Sequence, residues 1–289
     1  MDNFIPWSSQ GLNTWGNLYA RGKFIEVDGH LTHYIEMGSG EPIILIHGFY
    51  YDTHMWDSNI EALAEQFKVY AIDLWGFGYS TREMLDFGYA LYADQLLDFM
   101  NALNIDKASL IGQSMGGGTI IHFAVKNRDR IDKIVLVEPA VLPNKLPLMG
   151  KIANLPRVGE LLFGLNSNFP RKMTLGNTFI HNKEHITKKY FEKVTCFHKI
   201  ENTTEILLDI LRKQFFHTLE KEVQALGMMD VPTLIIGGRQ SKGIPIELTQ
   251  KVHQILSGSQ LEIYDGAGHC PHDEHPEKFN QHVLSFLND

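Results

Sequence analysis

The chain has 289 residues, 44% of them apolar and 21% charged, which is the composition and length of one large globular domain with an insertion. Its formal net charge of −8 argues against a general nucleic-acid-binding protein, and its two cysteines, Cys196 and Cys270, are too few for a disulfide framework. No apolar run could span a bilayer, and residues 1–22 lack the basic start and apolar core of a signal peptide. We therefore expect a cytoplasmic protein without a nucleic-acid or membrane partner.

Predicted strands and helices alternate along most of the chain. Apolar and polar residues alternate at 23–27 and 31–36, on either side of Asp28-Gly29, which is typical of an antiparallel hairpin. Six further strands are predicted from apolar runs at 42–46, 69–72, 108–111, 134–137, 233–236 and 260–264. Helical periodicity lies between or after them, at 56–66, 90–103, 115–127, 246–256 and 276–287. This alternation predicts an α/β fold with a mostly parallel eight-stranded sheet and helices on both faces.

Residues 142–226 interrupt this rhythm. They contain helical patterns at 183–196 and 203–216 but no buried-strand run, and the segment is too long for a loop. We expect an inserted helical subdomain here and a core domain formed by residues 1–141 and 227–289. The segment has thirteen Lys and Arg against eight Asp and Glu, a net charge of +5 that leaves −13 for the rest of the chain. Either helical surfaces simply carry charge, or a basic lid docks on an acidic body or favours anionic substrates.

A possible nucleophile stands in Gly112-Gln113-Ser114-Met115-Gly116, between an apolar strand and an apolar, helix-compatible run. Gly-x-Ser-x-Gly also arises by chance in glycine-containing loops. A strand before it and a helix after it are the context of a nucleophile elbow, in which glycines let two backbones pass closely while the serine takes a strained conformation. The sequence therefore predicts that Ser114 is a nucleophile exposed at the mouth of a sheet.

A serine hydroxyl needs a base, a group that orients the base, and donors for the oxyanion. His269 is the predicted base, because Gly266-Ala267-Gly268-His269 follows the last strand, in the chain order Ser, acid, His. A metal site is the alternative, because His269, His272 and His275 are close in sequence to Asp273 and Glu274. Pro271 and Pro276, however, interrupt any regular ligand spacing. We expect no metal and no cofactor.

The predicted oxyanion donors are two backbone N–H groups. One belongs to Phe49, in the loop His47-Gly48-Phe49 that follows the 42–46 strand, and the other to Met115, the residue after the nucleophile. Met115 also begins a helix, where the helix dipole favours negative charge. An ordinary strand-to-helix turn is the alternative interpretation of this loop.

Together these motifs resemble the α/β-hydrolase family, in its esterase, C–C hydrolase, haloperoxidase and haloalkane dehalogenase group. The resemblance covers residues 24–287 and also rests on Asp73-Leu74-Trp75-Gly76-Phe77-Gly78-Tyr79-Ser80. It implies that residues 142–226 form a helical cap that shapes the substrate pocket. It also implies that Asp73 stabilises a turn and takes no part in the chemistry.

The chain departs from the family at the third triad member. Relatives carry an aspartate after the seventh strand, and this chain has Ser241, which cannot stabilise an imidazolium as a carboxylate does. The interpretation we favour moves the acid to Glu138, at the end of the sixth strand, as in some haloalkane dehalogenases. Two others stay open: Ser241 is an engineered or inactivating change, or the chain is a weak catalyst or binding protein that kept the fold.

The predicted function is a serine hydrolase, of the carboxylesterase kind, that cleaves small to medium carboxylic esters through an acyl-enzyme on Ser114. The alternatives are a C–C bond hydrolase, a perhydrolase- or haloperoxidase-like activity, and a ligand-binding homologue with weak catalysis. A dehalogenase would need an aspartate where Ser114 stands. Nucleotide binding is not supported, because residues 112–118 lack the Lys-Ser/Thr of a P-loop.

Overall fold

The computed structural model describes residues 4–146 and 148–289, and its centre is an eight-stranded sheet. The strands are β1 (Lys23–Val27), β2 (His30–Met37), β3 (Pro42–Ile46), β4 (Lys68–Ile72), β5 (Ala108–Gln113), β6 (Ile131–Val137), β7 (Thr233–Gly238) and β8 (Gln260–Tyr264). Their order in the sheet is β1-β2-β4-β3-β5-β6-β7-β8. The β1–β2 and β2–β4 pairs are antiparallel and all others are parallel, so the predicted sheet is confirmed.

Thirteen α-helices lie along the described residues. They are α1 (Leu12–Tyr19), α2 (Ile60–Ala64), α3 (Tyr89–Ala102), α4 (Met115–Lys126), α5 (Leu148–Ala153), α6 (Val158–Gly164), α7 (Phe169–Thr174), α8 (Lys188–Val194), α9 (Thr203–Lys213), α10 (Glu220–Gly227), α11 (Ile246–Ile255), α12 (Pro271–Glu274) and α13 (Pro276–Asn288). Helices α3, α4, α10 and α11 pack in one group, and α2 packs with α13 in another. The sheet is thus covered on both faces, as the strand–helix alternation predicts.

The central strands are the most deeply buried. Every residue of β5 is buried, as are the last four of β3. A parallel strand covered on both faces needs apolar side chains at every position, which explains the continuous apolar runs. Because β3, β5, β6, β7 and β8 run parallel, their carboxyl ends meet at one edge of the sheet. The loops that carry all the predicted site residues start at this edge.

Helices α5 to α10 all come from the long connection between β6 and β7, where the sequence predicts an inserted helical segment. Residues 142–226 are called the insertion below. The helix predicted at 183–196 is interrupted: a 3₁₀ turn spans Lys183–His185, and α8 starts only after the Thr187 side chain accepts the Tyr190 N–H as an N-cap. The helix predicted at 56–66 is likewise a 3₁₀ turn, Thr53–Trp56, followed by the short α2.

Residues 4–19 form an N-terminal arm that the sequence analysis does not assign to any element. Its Trp7 and Trp15 are buried, and their indole N–H groups donate to Ser167 O (3.1 Å) and Cys196 O (2.9 Å) of the insertion. The Ser8 N–H donates to His198 O at 3.0 Å. The arm therefore ties the start of the chain to the insertion. Along the described ranges, no helix has both the length and the apolar character needed to cross a membrane.

The positively charged insertion forms ion pairs with acidic residues of the rest of the chain. Lys213 Nζ lies 2.7 Å from Asp86, and Lys193 Nζ lies 3.3 Å from Asp57. Both lysines are about 30% exposed, so each pair contributes little by itself. Lys251 of α11 pairs in the opposite sense with Glu220 of the insertion, at 3.1 Å, so the ion pairs do not favour one interpretation of the charge asymmetry over the other.

Candidate active site

Ser114 lies in a sharp turn between β5 and α4. Its backbone has φ +50° and ψ −110°, a left-handed conformation that is strained for any residue but glycine. The turn depends on glycines because the backbones are so close. A Cβ on Gly116 would lie 2.2 Å from Ile46 O, and one on Gly112 would lie 2.6 Å from the Gly116 carbonyl carbon. This is the geometry expected of a nucleophile elbow.

The loop after β3 is held by a buried histidine. The Leu74 N–H donates to His47 Nε2 at 3.0 Å, so the ring proton is on Nδ1, which donates to Gly48 O at 2.8 Å. Burial lowers the pKa of His47, which keeps the ring neutral. Within the described ranges the Phe49 N–H donates no hydrogen bond. Met115 is the first residue of α4, and first-turn N–H groups have no partner inside their helix.

His269 is held through both its backbone and its ring. Its N–H donates to Phe179 O of the insertion at 2.7 Å, and its carbonyl accepts the Gln113 side-chain amide at 2.8 Å. Its Nδ1 lies 3.2 Å from Glu138 Oε2 and 3.5 Å from Ser241 Oγ. A carboxylate at Nδ1 keeps the proton on that nitrogen, so Nε2 is left as the basic atom.

Glu138 directly follows β6 and is fully buried. Its Oε1 accepts the Gly238 N–H of β7 at 2.6 Å, and its Oε2 faces the His269 ring. Ser241 Oγ accepts the Ile244 N–H at 3.2 Å and sits at the distance limit of a hydrogen bond to His269. The structure therefore brings both candidate orienting groups to Nδ1, with the carboxylate closer.

Ser114 and His269 line one cavity of about 930 Å³, a volume that includes its opening to solvent. Phe49 also lines it, so the predicted nucleophile, the predicted base and a residue of the predicted donor loop share one cavity. No hydrogen bond joins the Ser114 hydroxyl to the His269 ring in the part of the chain that the structure describes. The insertion supplies most of the remaining wall, and its contribution is largely apolar: Phe163, Leu207, Leu208, Leu211 and Phe216.

Two side chains hold the loop of His269 in a way that the sequence does not predict: Gln113, and Glu274, which the sequence suggests only as a possible metal ligand. Gln113, the residue before Ser114 in the elbow motif, supports the His269 carbonyl through its side-chain amide. Glu274 connects the loop to the insertion: its Oε2 accepts the Gly268 N–H at 2.6 Å, and its Oε1 accepts the N–H groups of His181 and Asn182 at 2.9 Å each. Both side chains bond to backbone groups, which every residue has, so no pattern of residue types predicts these contacts. The position of Gln113 beside Ser114 is the single feature of the sequence that could have indicated its role.

The histidines that suggest a metal site are separated by the fold. The His272 ring is buried against Trp56, with ring centroids 4.5 Å apart, and burial lowers its pKa to about 4. His275 packs edge-on against Tyr264. Across the described ranges, no group of three or more His, Cys, Asp or Glu residues is arranged to hold a metal ion.

Comparisons with known proteins agree with this geometry. A family model described as alpha/beta hydrolase fold matches residues 41–276. The chain is 28% identical over 281 residues to an uncharacterised protein of Mycobacterium tuberculosis, covering 92% of this chain and 81% of that one. It is also 28% identical over 280 residues to 2-hydroxy-6-oxo-6-(2'-aminophenyl)hexa-2,4-dienoic acid hydrolase of Metapseudomonas resinovorans, covering 92% and 90%.

Two solved structures extend the comparison. A meta-cleavage product hydrolase of Pseudomonas fluorescens is 26% identical with a TM-score of 0.81, covering 92% of this chain and 97% of that one. A thermophilic esterase of Thermogutta terrifontis is 25% identical with a TM-score of 0.77, covering 93% and 98%. The similar proteins thus include both C–C bond hydrolases and an esterase.

Proposed function

The chain belongs to the α/β-hydrolase fold family, and we propose that it is a serine hydrolase that cleaves small to medium carboxylic esters through an acyl-enzyme on Ser114. The observation that carries the proposal is the 3.2 Å contact between His269 Nδ1 and Glu138 Oε2. It gives the base an orienting carboxylate although Ser241 stands where relatives have aspartate. The neighbouring strand end presents Ser114 to the same cavity.

The reaction starts with attack of Ser114 Oγ on the ester carbonyl carbon, while His269 Nε2 takes the hydroxyl proton. The N–H groups of Phe49 and Met115 stabilise the oxyanion that forms. The tetrahedral intermediate then collapses, the ester C–O bond breaks, and His269 gives its proton to the departing alcohol. A water molecule, deprotonated by His269, attacks the acyl-enzyme and releases the carboxylic acid and the free serine.

We assign the orienting role to Glu138 rather than Ser241. The imidazolium that forms during catalysis needs a negative charge at Nδ1, and a serine hydroxyl supplies only a weak dipole. The Gly238 N–H holds the other oxygen of Glu138, so that Oε2 stays directed at the ring. Ser241 then acts as a neutral neighbour of the carboxylate.

Residues 142–226 act as a cap subdomain in this proposal, and residues 1–141 and 227–289 form the core domain. The support is that the insertion lines most of the cavity and that its Phe179 carbonyl bonds to His269 N–H. The apolar wall favours a substrate with an apolar acyl or alcohol group.

The test combines an ester panel with a fluorophosphonate probe. We expect hydrolysis of p-nitrophenyl esters of small and medium acyl groups, and labelling of the wild-type protein that Ser114→Ala abolishes. Labelling that survives Ser114→Ala, or no labelling at all, would support the alternative of a ligand-binding homologue instead.

C–C bond hydrolysis is the second candidate, favoured by the names of the Metapseudomonas resinovorans and Pseudomonas fluorescens relatives. In that reaction water is added across a carbon–carbon bond beside a ketone, which gives a carboxylic acid and an enol. Loss of the visible absorbance of a 2-hydroxy-6-oxo-dienoate measures it. Faster turnover of this substrate than of every ester would favour the second candidate.

A further inference from the structure

The insertion exposes several large apolar side chains that are close together in the sequence. Six of the fourteen exposed large apolar residues in the described ranges lie within residues 148–169, so they are concentrated in one short stretch. We call them the apolar face: Leu148, Leu155, Val158, Leu161, Leu165 and Phe169, which are 40% to 73% exposed.

In helix α6, the exposed apolar side chains are not the ones that pack against the rest of the insertion. Val158 and Leu161 are spaced i and i+3, which places them on one side of the helix, and Leu165 is the residue directly after the helix ends. Gly159 and Phe163 are buried on the other side, where the helix packs on its neighbours in the insertion. The helix therefore has an inner contact surface and a second, outward apolar stripe, which its own packing does not require.

The charge along this stretch of the sequence is mainly positive. Between Glu138 and Glu184 the only acidic residue is Glu160, and Arg212 pairs with both of its oxygens at 2.8 and 2.9 Å. Three exposed cations of the same stretch form no ion pair with any residue that the structure describes: Lys145, Lys151 and Arg157. The apolar side chains are thus interspersed with uncompensated positive charge.

We propose that this face docks peripherally on an anionic lipid surface. Its leucines and Phe169 would enter the headgroup region, and the lysines and arginine would lie against anionic headgroups. A second copy of the chain fits less well, because a twofold contact through this face would bring the cations of both copies together. The proposal goes beyond ester cleavage and does not depend on it.

Docking of the apolar face would also affect how substrates reach the cavity, because neighbouring residues of the insertion line it. Lys145, Leu146, Gly150 and Ala153, from the same stretch, line the cavity that holds Ser114. An apolar substrate dissolved in the lipid would reach the cavity along a short path at its rim. Docking would therefore favour substrates that partition into lipid over those that stay in water.

The experiment measures cosedimentation of the full chain with vesicles of phosphatidylcholine alone and of phosphatidylcholine mixed with phosphatidylglycerol. We expect binding to the mixed vesicles that is roughly tenfold stronger than to phosphatidylcholine alone and that weakens with added salt. Two double variants should each bind the mixed vesicles roughly tenfold more weakly than wild type. They are Leu161→Asn with Phe169→Asn, and Lys151→Gln with Arg157→Gln. Met228→Asn is the matched control, because Met228 is 84% exposed but lies outside the face.

No binding to either vesicle, or unchanged binding by both double variants, would overturn the proposal. So would a dimer in sedimentation velocity that Leu161→Asn with Phe169→Asn dissolves, since it would assign the face to a second copy. Hydrolysis of a water-soluble ester and the melting temperature are measured for every variant. Both should be unchanged, which separates failure of docking from failure of the proposed activity or of folding.

Discussion

Glu138 combines a left-handed backbone, with φ +50°, and a side chain that is fully buried. Each property is unfavourable by itself, because a non-glycine residue is strained there and a buried carboxylate loses its hydration. Two partners compensate for the lost hydration of the carboxylate: the Gly238 N–H bonds to one oxygen, and the His269 ring contacts the other. A strained, buried carboxylate that contacts a histidine of the cavity wall is what we expect of a group retained for function.

The first prediction concerns the charge of Glu138. Glu138→Gln should lower kcat for a p-nitrophenyl ester by about 10⁴-fold, because the amide neither fixes the ring proton on Nδ1 nor stabilises the imidazolium. Ser241→Ala should leave kcat within about threefold of wild type, since it removes no charge. In the Glu138→Gln background, Ser241→Asp should recover part of the loss. A Glu138→Gln variant with wild-type kcat would disprove the assignment.

Motifs at the ends of the strands predict the nucleophile and the base, and the family resemblance points to a carboxylate after the sixth strand. The three lie together because the ends of parallel strands meet at one edge of the sheet. They do not predict Gln113 as a support of His269, because its partner is a backbone carbonyl brought close only by the fold. The sequence favours Glu138 over Ser241 because only Glu138 carries a charge, but it does not predict that both side chains lie beside Nδ1, at 3.2 and 3.5 Å.

The elbow shows how one element constrains another. Helix α4 starts so close to β3 that Gly116 has no room for a side chain, and Tyr89 of α3 closes over Gly118 in the same way. These contacts hold the nucleophile turn against the donor loop after β3. The position of Ser114 thus depends on the packing of three elements as well as on the turn itself.

The second prediction follows from this packing. Gly116→Ala should lower the free energy of unfolding by about 2 kcal/mol, because the new Cβ would overlap the Ile46 carbonyl oxygen. Thermal melting measures the effect as a drop of several degrees. Gly164→Ala is the control, since a Cβ on Gly164 would have no neighbouring atom within 4 Å and alanine favours helix. Equal melting temperatures for the two variants would contradict the account of the elbow.

The third prediction concerns the contact between α12 and the insertion. Glu274→Gln leaves one accepting oxygen where three N–H groups now bond, so the loop of His269 should shift. We expect kcat to fall roughly tenfold to a hundredfold, because small displacements of a base are costly. The exposed Glu277→Gln in α13 is the control. Unchanged kcat with a lowered melting temperature would show that Glu274 is only structural.

Long apolar strands can be predicted from the sequence, but breaks within helical patterns cannot. The central strands β3, β5, β6 and β7 contain the predicted apolar runs, because burial on both faces requires apolar side chains. The break before α8 depends on a single capping threonine inside a helix-like pattern. The N-terminal arm, including α1, is stabilised by its contacts with a segment roughly 180 residues away, which local periodicity does not report.

Asp73 connects several parts of the molecule. Its carboxylate accepts N–H groups from Thr53 and Tyr79 and lies 2.7 Å from His33 Nδ1 of β2, so it joins the antiparallel edge to the parallel sheet. Burial alone would raise the pKa of Asp73, but the charge and hydrogen bond of His33 outweigh it and hold that pKa well below its usual range. This structural role agrees with the expectation that Asp73 takes no part in the chemistry.

The fourth prediction is the pH dependence of stability. Because the folded-state pKa of Asp73 is depressed, its contribution is present above its usual value of about 4 and is lost as the pH falls through the folded value. Asp73→Asn should therefore lower the free energy of unfolding by about 3–5 kcal/mol at pH 6, and the gap to wild type should narrow in acid. Urea unfolding across pH measures it. The exposed Asp265→Asn should show neither effect, and a gap that widens in acid would refute the assignment.

The central claim is that Ser114 forms a covalent acyl-enzyme, and intact-mass spectrometry after rapid acid quench tests it most directly. Wild-type protein mixed with a p-nitrophenyl ester should gain the mass of one acyl group, located by proteolysis to the peptide that contains Ser114, with one equivalent of alcohol released. Ser114→Ala should gain none. Turnover of the ester by wild type without any acyl adduct, or an adduct that persists in Ser114→Ala, would contradict the account.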